Sequence, residues 1–381
     1  MAVPVVEPER YSQQLEAKRD IILRRFAHLD PPSLEVFASP PSYFRQRCEF
    51  RLWHEGDDLF YAMFEVDAED PSSKKIVRLD QYSVASQRIN ELMPQLIEAL
   101  RDDPALRYKL FQVDFLTTLA GEALVTLIYH RALDDDWEQK ARALQVRLDV
   151  MIIGRARKQR RVLERDHVWE RLALDDEREF VYQQVENSFT QPNAQINRKM
   201  LTWARDVTRG SQQGDLVELY CGNGNFTVAL AENFRRVLAT EISRTAVASA
   251  QINLTANGID NAVVARMSAE EFAQALANQK LDDKSGETLG ERKGRRVSAM
   301  ALEEYAFTTV LVDPPRAGLD EHSCEQLRDY SRIVYISCNP QTLLNNLEQL
   351  NNTHAIARFA LFDQFPWTDH CECGVLLERR V

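Results

Sequence analysis

From about residue 180, short apolar segments alternate with helical ones, and this alternation constrains the fold more than any other feature. The apolar segments predict strands, which are Leu216–Tyr220, Val237–Thr240, Ala262–Arg266, Thr308–Val312 and Ile333–Ser337. Helices fit between them, notably Asn225–Asn233 and Ser243–Asn257. This order predicts an α/β fold with a doubly wound parallel sheet. Two last β segments, Ala357–Phe362 and Gly374–Arg379, are expected to run antiparallel.

The first half of the chain lacks this regular alternation. Helical patterns cover Tyr11–Phe26, Ser86–Leu100 and Trp137–Leu148, whereas Cys48–Glu65 and Lys109–His130 have β character. We therefore predict an α+β domain over residues 1–179 and an α/β domain over residues 180–381. Within the second domain, residues 279–298 are polar and rich in glycine, which is typical of a mobile surface insertion.

Composition excludes several classes of protein. No apolar run approaches the roughly 18 residues that a membrane span needs, and the N-terminal residues lack the apolar core of a secretory signal. Six cysteines in 381 residues, with no CxxC pair, favour a reducing compartment and argue against a zinc ribbon or an iron–sulfur cluster. We therefore expect a cytoplasmic protein without a metal.

The formal charge of −11 argues against nucleic acid as a partner, but only local charge matters for phosphate contacts. Five basic residues lie within positions 155–161, namely Arg155, Arg157, Lys158, Arg160 and Arg161. A second group, Arg45, Arg47 and Arg51, alternates through a segment with aromatic residues. Each group is either a solvated strand face or a surface that binds phosphates.

Two glycines follow the first strand of the second domain. Gly222 and Gly224 lie between that strand and a helix, where glycine allows close approach of a ligand to the backbone and helix N–H groups are free. Glu241 ends the next strand and is suited to accept ribose hydroxyls. Thr227 stands where a dinucleotide motif has its third glycine, so a cofactor with one nucleoside, such as S-adenosylmethionine, fits better. The alternative is a purely structural turn.

Two further strands are followed by residues whose side chains can take part in catalysis. Asp313 precedes two prolines and Arg316, an arrangement that fixes an extended exit from the strand. Cys338 lies in Ser337-Cys338-Asn339-Pro340, directly after an apolar strand, at the edge where open α/β sheets bind ligands. Cysteine is nucleophilic as a thiolate, and Arg316 or backbone dipoles are expected to lower its pKa. For Cys48 and Cys324 a structural role is the better interpretation.

Near the C-terminus, Glu372 lies between Cys371 and Cys373. A metal site is disfavoured because no second pair of ligands is evident. Burial would raise the pKa of Glu372 and suit a general base, although spacing alone favours a surface glutamate.

Four motifs in the second domain together resemble the RNA 5-methyluridine methyltransferases, and most closely the branch that modifies position 54 in the T loop of tRNA. They are Glu218–Phe226, Asp313–Gly318, Ser337–Pro340 and Glu372–Leu377, and the likeness extends to Phe44–His54 and Val185–Asn193. The resemblance implies a Rossmann-like S-adenosylmethionine-dependent methyltransferase domain with an N-terminal α+β RNA-binding domain. It also implies a monomer that acts on the T-arm of tRNA, or on other RNAs with a T-loop-like hairpin.

The resemblance also assigns roles to residues. It implies that Cys338 is the nucleophile and Glu372 the proton acceptor. The residues that it places against S-adenosylmethionine are Gln191, Tyr220, Asn225, Glu241 and Asp313. Phe111 resembles a family aromatic that stacks on RNA bases, and Arg51 and Arg316 are expected to contact RNA.

These roles define a mechanism. Uracil C5 is a poor nucleophile, and addition of the Cys338 thiolate at C6 would create electron density at C5. After methylation, Glu372 would remove the C5 proton and elimination would release the cysteine.

Other functions remain open from the sequence. They are methylation of uridine in rRNA, methylation of another base, and binding of RNA without chemistry. Adenine-amino enzymes carry an aromatic residue where Arg316 stands, which argues against that alternative, whereas cytosine-5 enzymes are separated only by the resemblance.

Overall fold

A computed structural model of the chain describes residues 4–66, 74–175, 177–285 and 302–380. Its α-helices are α1 Tyr11–Phe26, α2 Gln87–Asp102, α3 Pro104–Arg107, α4 Asp135–Leu148, α5 Ala194–Val207, α6 Asn225–Leu230, α7 Arg244–Ala256, α8 Ala269–Ser285, α9 Glu321–Leu327 and α10 Pro340–Leu350. Its strands are β1 Leu34–Phe37, β2 Arg47–Glu55, β3 Asp58–Val66, β4 Lys74–Leu79, β5 Leu110–Thr117, β6 Ala123–Tyr129, β7 Met151–Ala156, β8 Gln159–Val162, β9 His167–Ala173, β10 Glu179–Val185, β11 Asp215–Leu219, β12 Val237–Glu241, β13 Ala262–Arg266, β14 Phe307–Val312, β15 Arg332–Ser337, β16 His354–Phe362 and β17 Glu372–Arg379.

The second half forms an eight-stranded sheet in the order β1-β16-β17-β15-β14-β11-β12-β13. Strands β11 to β15 pair in parallel, and β17 pairs antiparallel with both β15 and β16. Chain order reverses between β11 and β14, which creates the crevice where doubly wound folds bind ligands. The predicted doubly wound sheet and its antiparallel end are therefore confirmed.

Two apolar clusters cover the faces of this sheet. On one face, α5, α6 and α7 contribute residues such as Met200, Phe226 and Val247. On the other face, Ile22 and Phe26 of α1 join residues of α9 and α10, and Phe26 contacts Phe359 with ring centroids 5.0 Å apart. Both faces of the parallel strands are thus dry, which explains why their sequences are almost continuously apolar.

Side-chain caps fix where the helices nearest the crevice begin. The Asn193 side chain accepts a hydrogen bond from the N–H of Ile196 and starts α5. Asn339 accepts from the N–H of Gln341, and Pro340 occupies the first helical position of α10. The Asn-Pro pair after Cys338 therefore ends the strand and begins a helix within two residues.

The first half forms a seven-stranded sheet in the order β4-β3-β2-β5-β6-β7-β8. Its strands pair antiparallel except β6 and β7, which α4 connects as a parallel crossover. Helices α2 and α4 bury Leu92, Leu96 and Trp137 in one core with β2, β5 and β6. The predicted α+β character of this half is confirmed.

The start of the chain packs on the second sheet rather than on the first. Strand β1 pairs in parallel with β16, and α1 covers the same sheet. The division between residues 179 and 180 stays a prediction. Although α1 and β1 precede it, β1 belongs to the sheet of the second half and α1 packs on that sheet. Of the predicted insertion at 279–298, residues 279–285 form the end of α8, and the remainder lies outside the described residues.

Candidate active site

Five of the sequence-predicted residues meet at the carboxyl edge of the eight-stranded sheet. Tyr220, Asp313 and Cys338 directly follow β11, β14 and β15, and Glu241 is the last residue of β12. Because β17 runs antiparallel to β15, its first residue, Glu372, lies at the same edge. A narrow cleft opens in this region, and its lining includes the turn after β11 and the loop before α5.

The turn after β11 is built to bring backbone close to a ligand. Gly222 has φ +56°, and a Cβ atom at this position would meet nothing within 4 Å, so the backbone faces open space. Gly224 has φ +79° and is the N-cap residue of α6. Tyr220 also has a positive φ of +64°, a conformation that a bulky side chain adopts at some cost. Such strain is typical of a turn held for function.

Four of the five predicted cofactor residues, Gln191, Tyr220, Asn225 and Asp313, line this cleft. The fifth, Glu241, accepts hydrogen bonds from the N–H of Gly222 at 3.1 Å and of Ser243 at 2.7 Å. These bonds hold the carboxylate beside the glycine turn and leave it lone pairs for hydroxyl groups. The residues therefore fit a nucleoside cofactor with an acidic partner for its ribose.

Amide pairs and β2 hold the other side of the cleft. Asn225 and Asn197 exchange two hydrogen bonds of 2.9 Å between their side chains. The loop before α5, which contains Gln191, is fixed to the first sheet by two bonds: Arg47 donates to the Ser188 carbonyl at 2.5 Å, and the N–H of Gln46 donates to the Pro192 carbonyl at 2.8 Å. The seven-stranded sheet thus supports one wall of the cleft.

The carboxyl groups around the cleft are poorly solvated. Burial raises the pKa of Glu218 to about 8, although the Thr227 hydroxyl donates a hydrogen bond to it at 2.6 Å. Burial also raises the pKa of Asp313. A site with desolvated carboxyl groups is electrostatically suited to a cationic ligand such as a sulfonium.

Cys338 is half-buried, whereas the other five cysteines are buried, and all six are described as free thiols. Burial first, and then Glu372 and Asp313, raise the pKa of Cys338, while Arg316 opposes them by its charge and a hydrogen bond. The expectation of a lowered pKa is therefore wrong in its net direction. The reason is that the sequence revealed neither the burial of the thiol, which is the largest cause, nor the two carboxyl groups near it.

Glu372 is 4% exposed, so the interpretation as a surface glutamate is wrong. Burial, Asp313 and Cys371 raise its pKa well above the ordinary value, as expected for a general base in an apolar site. The strand register explains its place. Ser337, the last residue of β15, is paired with Cys373, so Cys338 and Glu372 lie next to this pair. The Glu372 carboxyl group is close enough to Cys338 to raise the pKa of its thiol.

The predicted RNA contacts lie in two places. Arg316 belongs to the active site beside Cys338. Arg51 and Phe111 lie on the seven-stranded sheet, with the Arg51 Cζ 5.0 Å from the centroid of the Phe111 ring. The sequence analysis missed His130, which stacks on Phe111 with ring centroids 3.9 Å apart. We refer to Arg51, Phe111 and His130 as the aromatic platform.

The basic run at 155–161 is mostly neutralised. Arg155 donates to Glu186 at 2.5 and 2.6 Å, Arg160 pairs with Asp166, and Arg161 pairs with Glu138. Arg157 and Lys158, at the tip of the β7–β8 turn, are exposed. These five residues therefore do not form a uniform phosphate-binding face.

Sequence reasoning missed two further residues near the cleft. Phe189 lines it and is 72% exposed. Gln364 is fully buried and donates from Nε2 to the Gln191 Oε1 at 2.6 Å. The rule that selected Cys338 and Asp313, a polar residue directly after a strand, points to Asp363 after the predicted strand Ala357–Phe362, which is one residue before Gln364.

Among the described residues, no group of three or more His, Cys, Asp or Glu side chains is arranged to hold a metal ion. None of the helices in the described part of the chain combines the length and apolar character that crossing a bilayer requires.

The fold and the site together define the class of methyltransferases that use a nucleoside cofactor. The features are the doubly wound sheet, the glycine turn, an acidic residue suited to a ribose and a thiol at the carboxyl edge. The family model of tRNA (uracil-5-)-methyltransferase matches residues 10–380. The chain therefore belongs to the tRNA (uracil-5-)-methyltransferase family. Its predicted class, an S-adenosylmethionine-dependent enzyme that methylates uracil C5 in tRNA, is confirmed.

Individual relatives agree with this family. A tRNA/tmRNA (uracil-C(5))-methyltransferase of Chromohalobacter salexigens is 73% identical over 381 residues, covering 100% of this chain and 99% of the relative. One from Shewanella oneidensis is 54% identical, with both chains fully covered at 100%. The solved tRNA (uracil-54, C5)-methyltransferase of Pyrococcus abyssi, in complex with S-adenosyl-L-homocysteine, superposes with a TM-score of 0.69 at 22% identity, covering 96% of this chain and 83% of that one. At that identity the likeness concerns the fold.

Proposed function

We propose that the protein methylates C5 of the uridine at position 54 in the T loop of tRNA, through a covalent intermediate between Cys338 and uracil C6. The observation that carries this proposal is the pairing of β15 with β17, which brings a half-buried thiol and a buried carboxyl group together beside a nucleoside cleft. All six cysteines lie in the described part of the chain, and among them Cys338 alone combines partial exposure with a position at this edge.

The cofactor would be held by Gln191, Tyr220, Asn225, Glu241 and Asp313. Glu241 would accept the ribose hydroxyls, and the glycine turn would receive the rest of the nucleoside. When bound, S-adenosylmethionine supplies an electrophilic methyl group on a sulfonium. Its positive charge compensates the desolvated carboxyl groups of Glu218 and Asp313, which supports binding of a cation in preference to a neutral ligand.

The protein's residues perform the remaining steps. The Cys338 thiolate adds to C6, and the electrons of the C5–C6 double bond move to C5 and O4. After C5 has received its methyl group, the Glu372 carboxylate removes the C5 proton. The electrons of that C–H bond restore the double bond and expel the thiolate. Arg316 favours the thiolate and counteracts the two carboxyl groups that disfavour it.

A uridine within a folded loop must leave its stack to reach Cys338, at a cost of a few kcal/mol. The aromatic platform offers a partner for bases exposed by this rearrangement, since stacked aromatic and guanidinium groups bind unpaired bases without selecting a sequence. Arg316 would contact the target nucleotide. We infer that the protein acts as a monomer in the cytoplasm.

The names of the bacterial relatives include tmRNA beside tRNA. We therefore extend the proposal to other RNAs that contain a T-loop-like hairpin, because the platform and the cleft recognise a loop rather than a whole tRNA.

The test uses S-adenosylmethionine with a labelled methyl group. It is offered with an unmodified tRNA transcript and with the same transcript carrying cytidine in place of uridine at position 54. Label in the first transcript alone is expected. Equal label in both would place the target elsewhere in tRNA, and label only in rRNA would move the protein to the rRNA-modifying branch.

A further inference from the structure

The connection between β16 and β17, residues 363–371, delivers Glu372 to the active site. Its first residue, Asp363, is fully buried, and its carboxylate is surrounded by donors from one helix. The Tyr11 hydroxyl donates at 2.9 Å, the Gln14 side chain at 2.8 Å and the Lys18 ammonium at 2.7 Å. Residues 11, 14 and 18 share one face of α1, so the helix presents all three to Asp363.

Lys18 joins the two ends of this connection. Besides Asp363, its ammonium donates to the Phe365 carbonyl at 2.9 Å and to the His370 carbonyl at 2.8 Å. An ammonium has three N–H donors, and each has one acceptor here. Lys18 is 7% exposed, so these donors are not shared with solvent. A single buried cation therefore fixes the start of the connection and the residue two positions before Glu372.

The same connection also reaches the cofactor cleft. Gln364, next to Asp363, is fully buried, and its Nε2 donates to the Gln191 Oε1 at 2.6 Å. This bond occupies the carbonyl of Gln191 and leaves its NH₂ group as the end available to the cleft. A shift of Asp363 would therefore disturb Gln191 and Glu372 together.

We propose that Lys18 and Asp363 are positioning residues, through which the N-terminal helix α1 holds the β16–β17 connection so that Glu372 faces the Cys338 adduct. The inference rests on the roles proposed above for Cys338 and Glu372. It assigns to the first helix of the chain a function in the last chemical step, although this helix contributes no residue to the cleft.

The simpler alternative is a buried ion pair that serves stability alone. The chain offers a matched control for it at the opposite edge of the same sheet. Asp215 is as buried as Asp363, and it pairs with Arg235 at 2.5 Å and accepts the N–H of Ala306. It begins β11 rather than ending a strand at the active site, so its loss should affect stability without affecting Glu372.

The experiment compares Lys18→Met/Asp363→Asn, which removes both charges and leaves neither unpaired, with Asp215→Asn/Arg235→Met. The single variant Asp363→Asn is included as a second disruption, because it retains the volume of the side chain and the bonds from Lys18 to the Phe365 and His370 carbonyls. Circular dichroism, which does not depend on the cofactor site, measures the folded fraction of each variant. Each variant then reacts once with tRNA and labelled cofactor, and denaturing electrophoresis separates methylated RNA still attached to protein from methylated RNA that has been released.

Displacement of Glu372 delays proton removal, so methylated adduct should accumulate. We expect the ratio of attached to released product to rise about tenfold or more in Lys18→Met/Asp363→Asn. This is less than the roughly 10²–10⁴-fold that general-base catalysis contributes, because Glu372 is displaced and not removed. Asp363→Asn should give a smaller rise, and the Asp215/Arg235 variant the ratio of the unaltered protein despite a lower Tm.

Glu372→Gln serves as the reference for a lost base. If it accumulates adduct while both Asp363 variants show the unaltered ratio, the positioning role is overturned and the proposed mechanism stands. If Glu372→Gln itself accumulates none, both the mechanism and the inference built on it are overturned.

Discussion

The carboxyl edge of the second sheet and the β7–β8 turn of the first sheet both contain several ionisable side chains. They differ in whether those side chains have partners of opposite charge. At the sheet edge, Asp313 and Glu372 are desolvated with little compensation, so their pKa values are raised. At the β7–β8 turn, Arg155, Arg160 and Arg161 are paired with carboxylates. Desolvated carboxyl groups with raised pKa values are suited to proton transfer and to a cationic ligand. Paired surface charges contribute little to either.

The largest effect that would separate the two regions is the loss of the nucleophile. Cys338→Ala should lower methyl transfer on the order of 10⁴-fold or more, since no other group at the edge can form the adduct. Binding of tRNA, measured by filter retention, should remain. Cys324→Ala, a buried cysteine in α9, is the control and should retain activity per folded molecule. Turnover by Cys338→Ala would disprove the covalent mechanism.

The second prediction concerns pH. Because the pKa of the Cys338 thiol is raised, the thiolate is a minor form at neutral pH and increases about tenfold per pH unit below that pKa. Adduct formation in a rapid-mixing experiment should therefore accelerate from neutral to alkaline pH. Arg316→Gln removes the group that lowers the pKa and should move the profile to higher pH, whereas Arg316→Lys should move it less. A flat profile would contradict this electrostatic description.

The aromatic platform provides the third prediction. Phe111→Ala should weaken tRNA binding by about 1–3 kcal/mol, the contribution of one stacked base. Phe60 on the same sheet makes a similar contact, with the Arg78 Cζ 4.7 Å from its ring, and Phe60→Ala is the matched control. S-adenosyl-L-homocysteine binding, measured by calorimetry, should be unchanged in both. Equal losses of RNA affinity would indicate a general effect on the sheet rather than stacking at Phe111.

The smallest effect is expected within the basic run. Arg157→Ala/Lys158→Ala removes two exposed cations and should reduce the salt dependence of tRNA binding, since each lost phosphate contact lowers the slope by roughly 0.7–0.9. Arg160→Ala/Arg161→Ala removes cations whose donors are already occupied by carboxylates, so the slope should change less. The reverse order would mean that RNA displaces the ion pairs seen at this turn.

Local pattern was sufficient for much of the fold. The predicted helix Tyr11–Phe26 coincides with α1, and Asn193 is the cap of α5, because capping and periodicity are properties of neighbouring residues. Strand β1 was not predicted, since four residues are too few for a reliable pattern and its pairing with β16 depends on distant chain. The end of α8 lies where glycine-rich sequence favoured a loop.

By itself, the sequence determined which residues end the strands of the second sheet, and therefore that Tyr220, Glu241, Asp313 and Cys338 share one edge. Only the tertiary structure decided that Glu372 lies beside Cys338, that burial and two carboxyl groups raise the pKa of the thiol, and that Lys18 holds the connection leading to Glu372. The physical reason is the range of the interactions. Strand ends follow from local hydrophobic periodicity, whereas register, desolvation and buried ion pairs depend on groups brought together from opposite ends of the chain.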